Sequence, residues 1–258
     1  MPGMAGYDWI TFTSDYGLED HFVGVCHGVM ARVAPGARVL ADAVPYLPRA
    51  VHLAVVDPEV GTGRGMVAVE AAGQVLVGPD NGLLVWAAEA LGGVGRVVAL
   101  ENPAYRLTTV SRTFHGRDVF APAAAHVAAG VDPGELGPEV DPARLVRLER
   151  PAARVDGERV LASVVAVDHF GNLALDLRPE DLERAGVAVG DAVEVRAGGR
   201  AHRVVVAETF ASVSAGELVL HEDSFGSLAL AVNQGRAAGR LGAVVGDPVE
   251  IALKPGGA

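Results

Sequence analysis

Residues 9–20 read Trp-Ile-Thr-Phe-Thr-Ser-Asp-Tyr-Gly-Leu-Glu-Asp, and the fold is decided here. Trp9–Ser14 is rich in β-branched and aromatic residues and runs into Asp15-Tyr16-Gly17, a turn composition. Asp20 stands where an N-cap belongs, ahead of helical spacing through about Val33. Strand, loop and helix in that order open an α/β layer. Working outward, strands are expected at Ala37–Leu40, Val51–Val56, Met66–Glu70, Gln74–Val77 and Arg96–Leu100, with helices at Leu83–Leu91 and Val119–Ala129. The run at 51–56, apolar but for His52, has the character of a parallel strand buried on both faces, so a mainly parallel sheet is expected. Only ten residues separate Leu40 from Val51, fewer than the dozen a parallel crossover needs. Either these strands are not parallel neighbours or residues are missing between them.

Beyond the Pro-bearing stretch Asp141–Pro151 the rhythm changes. Alternating runs pair across short turns: Val160–Val167 with Leu173–Leu177, Ala192–Arg196 with His202–Val206, and Leu218–His221 with Leu228–Val232, followed by Pro248–Leu253. This pattern predicts an all-β, barrel-like second domain. The expected division is 1–152 for the α/β domain and 153–258 for the barrel.

Composition narrows the function. The 258 residues carry 21 basic and 32 acidic side chains, a formal net charge of -11, which argues against nucleic acid or an anionic membrane as partner. Lys254 is the only lysine, so Schiff-base chemistry and the phosphate loop ending in Gly-Lys-Ser/Thr are excluded. Cys26 is the only cysteine, which removes internal disulfides and Cys-rich zinc sites and makes a reducing cytoplasm the expected compartment. Met1–Ser14 lacks a basic segment followed by an apolar run, and no apolar stretch is long enough to span a bilayer, so a soluble, unexported protein is expected.

Ligands of open α/β sheets bind at the carboxyl ends of strands. Asp15 at such an end can accept from the two hydroxyls of a ribose or from an ammonium group; equally, Asp15 can be a turn residue and Asp20 a helix cap. Asp57 ends the third strand, and Arg64, seven positions on across a Pro/Gly-rich loop, can return to it as a loop-locking ion pair or as part of a reactive site. The loop is no dinucleotide fingerprint, because Met66 stands at the third glycine position. His115, in Thr113-Phe114-His115-Gly116-Arg117-Asp118, can accept a proton or hold a reacting water, while Arg117 and Asp118 anchor the helix that follows. Asp168-His169-Phe170-Gly171-Asn172 and Asp223-Ser224-Phe225-Gly226 fit hairpin turns, yet they also carry the groups that amino-acid and nucleobase recognition requires. No G-x-S-x-G elbow is present.

These segments, with Gly78-Pro79-Asp80-Asn81-Gly82, occur in an order and spacing that resembles the S-adenosyl-L-methionine (SAM) hydroxide adenosyltransferases, relatives of the SAM-dependent chlorinase and fluorinase. The resemblance covers nearly the whole chain. It implies an α/β domain plus a β-barrel, a homotrimer with sites between subunits, and conversion of SAM and water to adenosine and L-methionine without metal or cofactor. It also implies that Asp57, Arg64 and His115 hold and polarise the water, and the halogenating relatives lack that set. Asp15 then corresponds to the ribose carboxylate, Asp20, Asp168 and Ser224 to methionine contacts, Asn172 to the adenine reader, and Phe210 to a ring stacking on the base. A SAM-dependent halogenase and a non-catalytic SAM or nucleoside binder are the alternatives. Two departures stand out. Asp223 replaces the family's usual asparagine, and the segment after Leu40 is about twenty residues shorter than the family's, below crossover length.

Overall fold

The computed structural model describes residues 6–16, 22–33, 38–40, 49–149 and 152–252. Two compact units divide the chain, Met1–Leu148 and Glu149–Ala258.

The first unit is built on β1 (Trp9–Ser14), α1 (Phe22–Val33), β2 (Arg38–Leu40), β3 (Val51–Val55), β4 (Met66–Ala71), β5 (Gln74–Pro79), α2 (Leu83–Ala90), β6 (Val97–Ala99), α3 (Ala121–Ala128) and β7 (Glu139–Val140). The sheet order is β2-β1-β3-β5-β4-β6-β7. Pairs β1–β2, β1–β3 and β3–β5 are parallel, whereas β4–β5, β4–β6 and β6–β7 are antiparallel. The expectation of a mainly parallel sheet is therefore corrected to a mixed one. The cause is local. Ala71 pairs with Gln74 across only Ala72 and Gly73, both at positive φ (48° and 75°), and a two-residue turn of that hand joins antiparallel strands.

β2 and β3 lie on opposite edges of β1, both parallel to it, so they are not neighbours, and the ten residues between Leu40 and Val51 carry the chain across β1. Residues 41–48 and the expected Asp20 cap fall outside the described residues. Alternation along the strands serves two layers. Ile10, Phe12, Val51, Leu53, Val55 and Val77 pack with Met30 and the alanines of α3, and Val67, Val69 and Leu76 pack with Leu84, Val85 and Ala88 of α2.

The second unit comprises β8 (Arg154–Asp156), β9 (Arg159–Val167), β10 (Leu173–Leu175), α4 (Pro179–Arg184), β11 (Ala192–Ala197), β12 (Arg200–Val206), β13 (Leu218–Glu222), β14 (Leu228–Val232), α5 (Ala237–Leu241) and β15 (Pro248–Ala252). Strands run β10-β14-β13-β12-β11-β15-β9, and β9 pairs again with β10, which closes a seven-stranded barrel with β8 appended to β9. Every second residue points inward: Val193 and Val195, Val204 and Val206, Leu218 and Leu220, Leu228 and Leu230, Val249 and Ile251 are all buried. Leu182 of α4 with Ala237 and Leu241 of α5 join that core. Helices of six and five residues are too short for a helical period to be read in sequence. Among the described residues no helix is long and apolar enough to cross a membrane.

Candidate active site

Strands β1, β3 and β5 end together. Ser14 is in register with Val55, and Leu53 with Val77, so Asp15, Asp57 and Asp80-Asn81 leave the sheet along one carboxyl edge. The loop 56–65 crosses the end of β5 and returns as β4, whose Met66 pairs with Pro79. A change of strand direction thereby brings Arg64 back to Asp57. Arg64 Nε donates to Asp57 Oδ1 at 2.8 Å and Nη2 donates to Oδ2, a bidentate pair whose side chains are only 3% and 5% exposed.

Arg64 Nη2 also lies 2.9 Å from His115 Nδ1. His115 precedes a π-helical turn, Gly116–Phe120, whose fully buried Asp118 accepts from the Arg117 guanidinium and from the Ser111 amide at 2.7 Å. That buried carboxylate fixes the turn that carries the histidine. The fully buried Phe120 ring underlies the cluster, 5.3 Å from the Arg64 guanidinium carbon and edge-on to His115.

A guanidinium can only donate, so His115 Nδ1 must accept and the imidazole is the neutral Nε2–H tautomer. Burial and then the charge of Arg64 hold its pKa below the ordinary histidine value, with Asp57 and Asp118 opposing in part. Tyr16 was quoted in sequence only as part of a motif. Its ring meets Phe12, Phe22 and Phe114, and a Cβ on Gly116 would come within 2.2 Å of its hydroxyl, so any side chain at 116 would have to displace the Tyr16 ring. Burial raises the Tyr16 pKa, so the phenol stays protonated. The signal available in sequence was an aromatic residue directly behind a strand-end carboxylate.

The remaining candidates are distributed as follows. Asp15 is exposed at the exit of β1, and Asp20 lies outside the described residues. In the second unit Asn172 donates to Asp168 through Nδ2 (2.8 Å) and through its backbone amide (2.9 Å), which ties the two into one β9–β10 turn. Asp223 accepts from the amides of Phe225 and Ser227, so a carboxylate performs the turn-bracing task at that position. Ser224 is exposed beside it, and Phe210 is 53% exposed and edge-on to His221. The antiparallel β10–β14 register sets the Asp168–Asn172 turn and the Ser224 turn at opposite ends of β14, about 14 Å apart along a five-residue strand.

The cluster of Asp57, Arg64 and His115 has the chemistry to orient one water: a half-buried, neutral imidazole N–H beside a buried ion pair over an aromatic floor. Cys26 is unsuited to nucleophilic work, being buried with its pKa pushed up to about 12. Among the described residues no group of three or more His, Cys, Asp or Glu could hold a metal ion.

Family models for the SAM hydroxide adenosyltransferase N-terminal domain and C-terminal domain match residues 10–40 with 32–137, and 162–250. The first match falls into two pieces that overlap at 32–40, immediately before the short interval. The chain is 48% identical over 266 residues to an (R)-S-adenosyl-L-methionine hydrolase of Salinispora tropica, covering 96% of this chain and 99% of that protein. It is 42% identical over 271 residues to one of Thermus thermophilus (94% and 98% covered), and 27% identical over 270 residues to a fluorinase of an Actinoplanes species (87% and 90% covered). A crystal structure of an uncharacterized conserved protein from Thermotoga maritima superposes with a TM-score of 0.86 at 34% identity, over 94% of this chain and 99% of that one.

Proposed function

The chain belongs to the SAM hydroxide adenosyltransferase family, and from that premise we propose that it hydrolyses S-adenosyl-L-methionine to adenosine and L-methionine. The observation that carries the mechanism is the contact chain Asp57–Arg64–His115. A water oxygen attacks C5′ of the ribose, the C5′–S bond breaks, and its electron pair stays on sulfur as a neutral thioether. One water proton is released. The sulfonium leaves without a general acid, so the protein's task is to align the oxygen and to favour its deprotonated form. Hydrogen-bond donors aimed at that oxygen do so: His115 Nε2–H is one, and Asp57 fixes the guanidinium that dictates which imidazole nitrogen carries the proton. The relatives' names specify the (R) sulfonium form, and we assign the same form here.

In this reading Asp15 accepts from the ribose hydroxyls, Asp20 and Asp168 hold the methionine amino acid, Asn172 reads adenine and Phe210 stacks on it, while Ser224, about 14 Å from the Asp168–Asn172 turn along β14, contacts methionine without sharing it with Asp168 of the same chain. The exposure of Asp15, Asp168, Phe210 and Ser224 in a single chain supports a site completed between subunits of a homotrimer. No cofactor is required, and the cytoplasm supplies the substrate. Incubating the protein with each sulfonium epimer of SAM, with and without halide, and resolving adenosine, methionine and 5′-haloadenosine by chromatography tests the reading. Adenosine and methionine in equal amounts are expected. Haloadenosine as the main product, or intact SAM, overturns it.

A further inference from the structure

The segment Gly78-Pro79-Asp80-Asn81-Gly82 has no part in the reaction as derived so far, yet it lies under the loop that carries two of the three reacting side chains. The two arms of loop 56–65 are tied to it separately. On the Arg64 arm the Asp80 amide donates to the Gly65 carbonyl at 3.0 Å. On the Asp57 arm the Asn81 Nδ2 amide donates to the Val56 carbonyl at 2.7 Å. One dipeptide at the end of β5 thus braces the residue before Asp57 and the residue after Arg64. Asn81 Oδ1 faces the other way and accepts from the Leu83 amide at 3.3 Å, at the start of α2.

We propose that Asn81 is a positioning residue for the hydrolysis: its side-chain amide sets the spacing across which Asp57 grips Arg64 and Arg64 reaches His115. The inference rests on the reading of those three residues as the water-holding cluster. The span of loop between the braces is exposed at Pro58, Glu59, Gly61, Thr62 and Gly63, and it contributes only local bonds: Val60 to the Asp57 carbonyl, Thr62 to the Glu59 carbonyl. Without the Asn81 amide the Asp57 arm keeps its β3 ladder up to Val55 and loses the bond to the residue on which Asp57 directly follows. A displacement of one ångström between reacting groups costs on the order of a hundredfold in rate.

Asn81→Asp isolates this role. The carboxylate keeps an acceptor for Leu83 at a helix start, where negative charge is favourable, and replaces the donor facing Val56 with an acceptor that repels the carbonyl. Asn81→Ala removes both bonds. Both variants are compared with the unaltered protein for kcat, KM for SAM and the His115 imidazole pKa by NMR, alongside Arg64→Ala and His115→Ala.

For Asn81→Asp and Asn81→Ala, kcat is expected to fall about 10- to 100-fold with KM within about twofold. The His115 pKa is expected to rise toward the ordinary value as Arg64 relaxes away, with Asp57 and Asp118 as the other charges facing it. Wild-type kcat in Asn81→Asp, or a loss of kcat with an unmoved His115 pKa, overturns the proposal. Failure of the underlying reading looks different: Arg64→Ala and His115→Ala would then turn over saturating SAM at the wild-type rate.

Discussion

Arg64 Nη2 stands 2.9 Å from His115 Nδ1, and this one contact determines which imidazole nitrogen carries the hydrogen. With Nδ1 accepting, only the Nε2 hydrogen remains to hold a water oxygen.

His115→Ala and Arg64→Ala are therefore expected to lower kcat on the order of 100-fold or more while KM for SAM changes little, because the lost interactions strengthen as negative charge gathers on the attacking oxygen. Asp57→Asn is expected to follow them. Steady-state kinetics on folded variants checks this, and wild-type turnover would reduce the cluster to a loop lock.

The pH dependence follows from the same contact. Protonation of His115 places a hydrogen on Nδ1 and breaks the bond from Arg64. Because its pKa is held below the ordinary value of 6.5, kcat is expected to stay level as pH falls to about 6.5 and to decline only below it. A decline centred above 6.5 would contradict the assigned burial.

Stability is expected to fall over the same acid range. His52 and His126 are also held below the ordinary value by burial, and His52 is 2% exposed between Thr11 and Gln74. The unfolded chain takes up these protons near pH 6.5, whereas the folded chain resists until lower pH, so each proton favours unfolding as pH falls between the two values. Denaturant midpoints measured from neutral to mildly acidic pH check the sign.

Asp15→Ala is expected to weaken SAM binding by about 1–3 kcal/mol, the loss of a hydrogen bond to a charged group. Asp15 is exposed in the chain, so the thermal midpoint without ligand is expected to stay unchanged. Calorimetry giving wild-type affinity would make Asp15 a turn residue.

Light scattering is expected to give the mass of three chains, with activity lost on dilution below the assembly constant. Full activity in a monomer would defeat the shared-site arrangement.

Much of this was legible in sequence, for identifiable reasons. Strand β3 announces itself through a run that is apolar but for His52, β14 through its place in the alternating runs of the second half, and the Asp57–Arg64 return is implied by a Pro/Gly-rich loop between two strands. The expectation of a mainly parallel sheet weighted the apolar run at 51–56 and left unused the three-residue gap between the expected strands 66–70 and 74–77, which is too short for a parallel connection and already requires an antiparallel pair. The Asp168–Asn172 pairing could be guessed from turn chemistry. The link from Arg64 to His115 spans 51 positions and depends on a buried Asp118 fixing a π-turn, which no local pattern reports. Tyr16 was hidden for a related reason: its importance lies in the space it takes from Gly116.

The two-residue turn at Ala72-Gly73 also orders events during folding. A ladder closed by so short a link forms within microseconds, far ahead of contacts between distant segments. Once it closes, the beginning of β4 is fixed beside the end of β5, and Arg64 is delivered to the edge where Asp57 emerges. The hairpin by itself carries only Arg64 to that edge: the Asp57 partner needs β3 paired beside β5 and the His115 partner needs the π-turn 51 positions on, so the cluster is complete only when contacts between segments distant in sequence have formed.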